Sequence, residues 1–535
     1  MHRFECPLLG PLQGLLTIVF MPRFCYALAF VVAFHASQAA AIHLNVRADW
    51  PNVLAKSSTK TDTGFNLAEA DDLRYYTNIS LNGNQRTVYI DTGISDLWVS
   101  NWVDGSKDLG TVAQLKTPTG EVASEGPIKS AGLDFAGFTL NDQAFFEMVP
   151  SSGSIISYGG GIGLGPPSLS SIDDALGSKA VGKSVIDRIF TQNTSLPRII
   201  TVLLNRTNEI DDAASGHFTI GETLAGFERI AQQTKITLAI PPKSSKKDPT
   251  IHRWQTLLDE DGILGPDGLP IISTPSNSAK SQNGRQLTAL FDTGSSLVQV
   301  SSPVASSIYS RFKDARFDDK RSLWYLPCDL EVNVTIKVAG STFVIHPLDV
   351  LSAATVLTNG TAQPGECAGT FQPVDIIPHG PDLILGAPFL RNVYISYSYG
   401  NLISDSKSTD DPYMQLISTT NASAAHLEFV RTRLNGVDTT GAQAAQMSNK
   451  TPVSASVHSA HCFFTRNKTA VIALSSIGGA VLLMLIAGTI IAVDRWRKAS
   501  READGWRFGE IQPFFPVREP TPPKKMAHIL QDDAN

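Results

Sequence analysis

Two aspartates, Asp91 and Asp292, each open an Asp-Thr-Gly triplet at the end of an apolar run. Asp91 follows Val88-Tyr89-Ile90 and precedes Leu97-Trp98-Val99, while Asp292 follows Ala289-Leu290-Phe291 and precedes Leu297-Val298-Gln299-Val300. Short apolar runs broken by a Gly-containing turn read as buried strands, so both carboxyls are delivered into a poorly solvated place. A lone carboxylate there is costly. Two of them facing each other have a use: like charges a few ångströms apart do not both ionise, and the pair shares a proton. One member then takes a proton from water while its partner donates to a carbonyl oxygen. Taken singly, either Asp reads as an ordinary turn residue; the matching contexts favour the pair. In this reading Gly93 and Gly294 permit the tight turns, and the Thr92 and Thr293 hydroxyls tie the two loops together. A third triplet, at Asp62, follows Lys60-Thr61 in a polar stretch and reads as chance.

The elements that must position these residues are mostly strands. The 41 Gly and 31 Pro, with many Ser and Thr, favour short strands and turns over long helices. Tyr75-Tyr76-Thr77-Asn78-Ile79-Ser80-Leu81, the turn Asn82-Gly83 and Thr87-Val88-Tyr89-Ile90 read as a hairpin that ends at Asp91. Similar runs continue to about residue 400, and 535 residues exceed one compact core, so two or more folding units are expected. The net charge of −6 supplies no basic field, and nucleic acid is not an expected partner. No H-E-x-x-H helix, G-x-S-x-G elbow or clustered histidines are present, so neither metal nor cofactor nor a Ser nucleophile is expected. Residues 159–165 are Gly-rich, but no Lys follows, and their apolar-Gly alternation reads as a strand rather than a phosphate loop.

Two apolar segments frame the chain. A positive residue, an apolar run over 26–34 and small residues to Ala41 make residues 1–41 a signal peptide, with translation starting at Met1 or Met21. Residues 470–493 are long and apolar enough to span a bilayer, and Arg495, Arg497, Lys498 and Arg501 follow at once. A single-pass type I protein of the secretory pathway, at the cell surface or in a vacuolar or endosomal compartment, is expected. Residues 42–72 read as a short leader or pro-segment, 404–469 as a Ser/Thr-rich glycosylated stalk and 494–535 as a cytosolic disordered tail. Sequons at Asn78, Asn193, Asn205, Asn333, Asn359, Asn421, Asn449 and Asn467 all fall on the predicted outer side. Cys328 and Cys367 are left as one possible bridge once the leader cysteines are set aside, and Cys462 has no obvious partner.

Over residues 74–400 the chain resembles the pepsin-like aspartic proteases, including fungal members anchored at a membrane or surface. The carrying residues are Asp91-Thr92-Gly93-Ile94-Ser95-Asp96-Leu97-Trp98-Val99, Phe291-Asp292-Thr293-Gly294-Ser295-Ser296, Gly161-Ile162-Gly163-Leu164-Gly165 and Leu383-Ile384-Leu385-Gly386. The order Asp, apolar-Gly, Asp, apolar-Gly is an internal repeat. The resemblance implies an all-β, two-lobed fold with lobes over 73–222 and 223–403, a monomer, and a cleft that cuts polypeptides. It also implies a Cys328–Cys367 disulfide, opened by Trp324-Tyr325-Leu326-Pro327, and a supporting hydroxyl at Ser295. Three departures stand out. Ile94 occupies the place where the family has Ser or Thr bonded to a catalytic carboxylate; no Tyr lies between Trp102 and Phe135, where a flap hairpin with its tip near Thr119-Gly120 is expected; and the leader is short for an inhibitory pro-segment. A cleft that binds peptides without cutting them is the competing expectation.

Overall fold

The computed structural model describes residues 60–445, except 62–63, 71–72, 118–121, 149–158, 207–215, 241–250, 276–284, 354–362, 364, 375–379 and 405–406. The expected signal peptide, spanning segment and tail, the sequons Asn359, Asn449 and Asn467, and the Asp62-Thr63 pair lie outside the described residues. Among the described residues no helix is long and apolar enough to cross a membrane.

The architecture is built from strands. Three short strands repeat in each half of the chain. In the first, Asn84–Asp91 runs parallel to Gly160–Gly163, with Asp91 opposite Gly163, and Leu97–Ser100 lies antiparallel on the other side, Leu97 opposite Ile162. In the second, Thr288–Phe291 runs parallel to Leu383–Leu385, Phe291 opposite Leu385, and Val298–Val300 lies antiparallel across it, Gln299 opposite Ile384. Leu97–Ser100, Gly160–Gly163, Thr288–Phe291 and Leu383–Leu385 are buried over nearly their whole length, which is why these segments read as continuous runs rather than alternating ones, while Asn84–Asp91 is buried only toward Asp91. The Gly-rich run 159–165 is thus the supporting strand expected. It must be glycine: a Cβ on Gly163 would overlap the Ser95 backbone, and one on Gly161 would lie 2.5 Å from Trp98 Nε1.

A 14-stranded sheet joins the halves. Ile199–Leu203 pairs with Gly216–Ile220 on one side and with Val393–Ser398 on the other, so the strands of the two predicted lobes meet at the Ile199–Leu203/Val393–Ser398 pair. One continuous apolar core runs from Ile90 and Ile162 through Trp254, Tyr397 and Tyr399 to Phe291 and Leu385. Trp254 Nε1 and the Tyr399 hydroxyl both donate to the Leu164 carbonyl, at 3.1 and 2.6 Å, which satisfies the polar ends of two buried aromatics from the second half on the first.

Two expected boundaries move. Residues 64–70, within the expected leader or pro-segment, are not unpatterned: Gly64–Ala70 is a strand between Gly216–Ile220 and Arg74–Leu81. Nor does a stalk begin at 404. Tyr413–Ser418 pairs along all six residues with Val393–Ser398, and Ala422–Arg433 is a helix that buries Ala425, Phe429 and Val430. The Ser/Thr-rich surroundings hid a buried strand and a helical stripe. Arg433 donates to the Leu351 carbonyl at 3.2 Å and to Cys367 Sγ, so the helix packs beside the Cys328–Cys367 disulfide, which is present as expected.

Sequon asparagines differ in availability. Asn333 is exposed in a loop, and Asn421 is exposed while its Oδ1 accepts from Ala424 N at the helix start. Asn193 Nδ2 instead donates to Ile189 O at 2.8 Å, and Asn78 Oδ1 accepts from Thr87 at 3.0 Å inside a strand pair. Asn205 is half-buried.

Candidate active site

The two triplets meet. Thr92 N donates to Thr293 Oγ1 and Thr293 N to Thr92 Oγ1, both at 3.0 Å; Thr92 Oγ1 donates to Phe291 O and Thr293 Oγ1 to Ile90 O, again at 3.0 Å. Each threonine hydroxyl is therefore donor to the far strand and acceptor from the far loop. Four buried hydrogen bonds related by an approximate twofold fix the two strand ends against each other. This is the tie expected of Thr92 and Thr293.

Asp91 and Asp292, 5% and 3% exposed, sit immediately before these threonines, and the Asp91 carboxyl lies against Gly294 of the opposite loop. Gly93 N donates to Asp91 Oδ1 and Gly294 N to Asp292 Oδ1, each at 2.9 Å. The glycines are needed for a reason other than turn geometry: neither has a positive φ. A Cβ on Gly294 would overlap the Asp91 carboxyl, so this glycine clears the space in which the opposite acid lies.

Burial raises both carboxyls above the usual range, and they differ in degree. Asp292 stands well above it, because the Asp91 charge and their mutual hydrogen bond add to the effect of burial. Asp91 is raised less: the N–H groups of Gly93 and Ile94, the hydrogen bond from Asp292 and the charge of Arg74 all favour its ionised form. Such a pair can take a proton from a water and return one to a carbonyl oxygen.

The departures acquire a physical reading. The Ile94 side chain points away from the carboxyls into an apolar cluster with Trp98, Leu115, Ile128 and Phe146, while its backbone N–H favours the ionised Asp91. The hairpin Lys107–Lys116 with Val122–Phe135 is the expected flap, and residues 119–120 fall in its connection. Leu115 and Ile128 of the hairpin share that apolar cluster with Ile94. Ser295 does not fill its expected role: its hydroxyl donates to Leu297 O at 3.0 Å, closing its own turn instead of reaching Asp292.

A third acid lies close by in sequence but does other work. Asp96 accepts from Ser170 Oγ at 2.5 Å and Ser171 N at 2.8 Å, holding the start of the Ser171–Ala175 helix; burial pushes it up to about 6 against those bonds. Two neighbours of the pair went unseen in the sequence. The Tyr89 ring lies edge-on to Trp98 at 5.7 Å, and the Arg74 guanidinium stands 4.7 Å over it. The sequence signal was present in the alternation, since Tyr89 and Asp91 share a strand face. Among the described residues, no group of His, Cys, Asp and Glu has the make-up of a metal site.

Residues 271–404 match the family model described as eukaryotic aspartyl protease, which takes in Asp292 and the Leu383–Leu385 strand. Major aspartyl peptidase 1 of Cryptococcus neoformans var. grubii is 25% identical over 361 residues, covering 63% of this chain and 68% of that protein. A probable aspartic-type endopeptidase CTSD of Arthroderma benhamiae is 26% identical, covering 66% of this chain and 65% of that protein. Cathepsin E of Rattus norvegicus is 24% identical, covering 64% of this chain and 82% of its own. The chain thus spans about two thirds of the length of the first two relatives. With the paired triplets and their repeated strands in view, these likenesses relate the chain to the pepsin-like aspartic proteases.

Proposed function

We propose that the chain is an endopeptidase that hydrolyses peptide bonds in acid, with Asp91 as base and Asp292 as acid on one bound water. The observation that carries this reading is the burial of two carboxyls on adjoining loops locked by Thr92 and Thr293, with the Asp91 carboxyl lying against Gly294 of the opposite loop. The pair needs one proton and one charge. Above the raised titration of Asp292 the proton is lost, and below that of Asp91 the base is lost, so a bell-shaped pH profile is expected on the acid side of neutrality. Polypeptides with apolar side chains flanking the cut are the proposed substrates. From the sequence of residues 1–41 and 470–501, the enzyme is proposed to be tethered by one helix, its catalytic part at the cell surface or in a vacuolar or endosomal lumen.

The test is cleavage of an acid-denatured protein at pH ~3–5 by the full chain and by Asp91→Asn and Asp292→Asn. Each substitution is expected to lower kcat by at least ~10² to 10⁴. Cleavage equal in all three would sink the proposal. A second reading, a cleft that binds peptides without cutting them, is favoured by two observations: no side-chain hydroxyl reaches either acid from Ile94 or Ser295, and the described flap residues carry no Tyr. Binding of a peptide with no turnover by the wild type would select it.

A further inference from the structure

We infer that Trp254 and Tyr399 are positioning residues of the carboxyl pair: from the second half they hold the residue that backs Asp91, and so set how far Asp91 stands from Asp292. The inference rests on the peptidase reading above and assigns two residues to it. A path of hydrogen bonds joins the two acid loops apart from the threonine lock. Leu164 N donates to the main-chain carbonyl of Asp91 at 2.7 Å. The Leu164 carbonyl accepts from Trp254 Nε1 at 3.1 Å and from the Tyr399 hydroxyl at 2.6 Å. Trp254 in turn is bonded to the second loop, since its own carbonyl accepts from Phe291 N, one residue before Asp292, at 2.8 Å. From one acid to the other the path therefore passes through Leu164 of the first half and Trp254 of the second.

Packing leaves the two donors little freedom. Leu164, Trp254 and Tyr399 are each 0% exposed, so bulk water does not replace a lost donor. The Tyr399 ring meets Trp254 edge-on with centroids 5.0 Å apart, Tyr397 lies against Trp254 at 5.1 Å, and Phe190 from the first half lies 5.7 Å from Tyr399. Gln255, next to Trp254, pairs with Leu290 in the strand that ends at Phe291, and Tyr399 N donates to Arg198 O at 2.9 Å. A buried aromatic needs only some acceptor for its polar end. Here two donors from separate segments converge on one carbonyl, and that carbonyl belongs to the residue holding Asp91. The threonines fix the loops just beyond the acids; this strut fixes the main chain behind them. Separation matters because the mutual repulsion of two carboxyls spreads their apparent titrations.

The experiment measures the pH profiles of kcat and KM for full-length wild type, Tyr399→Phe, Trp254→Phe and the double variant, with Tyr394→Phe as control. Tyr394 is likewise buried, and its hydroxyl accepts from Leu224 N at 2.9 Å, but it lies off this path. Tyr399→Phe leaves the indole link in place and is expected to keep the wild-type bell. Trp254→Phe breaks that link, and the double variant strips the Leu164 carbonyl of both side-chain donors. The limbs of the bell are expected to draw together by about half a pH unit in Trp254→Phe and about one in the double variant, as the acids separate and repel less. A displacement of ~1 Å costs up to ~10²-fold in rate, so kcat should fall by ~10-fold or more in the double variant, with KM nearly unchanged. An unchanged bell width in the double variant overturns the inference. The same narrowing in Tyr394→Phe also overturns it, because it reports a general loosening of the core. If the double variant does not fold, Trp254→Phe against Tyr399→Phe decides, and equal widths overturn the inference. If the wild type cleaves nothing, the peptidase reading fails and carbon-13 titration of labelled Asp carboxyls takes its place: a smaller gap between the two titrations in Trp254→Phe upholds the strut, and an unchanged gap ends it.

Discussion

The two acid loops share a main-chain plan and differ in what surrounds it. Each Asp receives an N–H from the glycine two residues on, and each Thr makes the same pair of bonds to the opposite strand. Around Asp91 stand Arg74, Tyr89 and the N–H of Ile94, with Ile94's side chain packed into the base of the flap. Around Asp292 the Asp91 charge adds to the effect of burial, the buried Tyr397 feels the Asp292 charge, and Ser295 turns to its own loop. The difference teaches that the symmetric part builds the pair, whereas the asymmetric part gives its two members unlike surroundings.

The largest expected effect comes from crowding the shared centre. Gly294→Ala places a methyl where the Asp91 carboxyl lies, and kcat/KM should fall by ~10²-fold or more, measured on the same substrate as wild type. Near-normal turnover in that variant would mean that the acids need no contact. Next come the threonines. Thr92→Val or Thr293→Val leaves a buried N–H and a buried carbonyl without their partner, and each should lower unfolding stability by about 2–4 kcal/mol in urea. The double variant should lose less than the two singles combined, because the four bonds form one unit.

Asp292→Asn tests the asymmetry through stability. A folded carboxyl raised above its unfolded value holds a proton that the unfolded chain releases, so its contribution is full below the unfolded value of 3.8 and declines as pH rises through the folded value. At pH 7 the acid therefore weakens the fold, and the Asn variant should be more stable by about 1–2 kcal/mol, with the gain vanishing near pH 3. A gain of the same size at both pH values would contradict a retained proton. The smallest effect is expected from Ile94→Thr, which offers Asp91 a hydroxyl at the cost of apolar packing against Leu115 and Trp98. Activity should rise less than tenfold, while stability falls by about 1 kcal/mol in thermal melts.

Much of this site was legible because its chemistry is written in short range. The triplets, the apolar runs before them and the glycine strands behind them are each contiguous, and contact between backbones leaves glycine as its trace. What stayed hidden depends on direction or on distant partners. Whether Ser295 faces an acid or its own turn is a rotamer choice that its identity does not reveal. Arg74 is one charge among many until the strand pairing sets its guanidinium over the Tyr89 ring. Tyr413–Ser418 carries a strand pattern of its own, Tyr-Met-Gln-Leu-Ile-Ser, but lies in polar surroundings that pointed to an extended stalk. Gly64–Ala70 is too mild in composition to stand out, and it becomes a strand because two neighbours offer it open edges.

The threonine lock joins positions 201 residues apart, and so has a consequence for the timing of synthesis. A nascent chain can fold the first half of the repeat and bury its apolar strands, yet it carries only one acid of the two. The second emerges from the ribosome some 200 residues later, and the Tyr413–Ser418 strand that flanks the joining sheet later still. Contacts of such long span form slowly and late. A half-made chain therefore holds no carboxyl pair, and the site is completed only when the segments carrying Thr293 and Tyr413–Ser418 have followed.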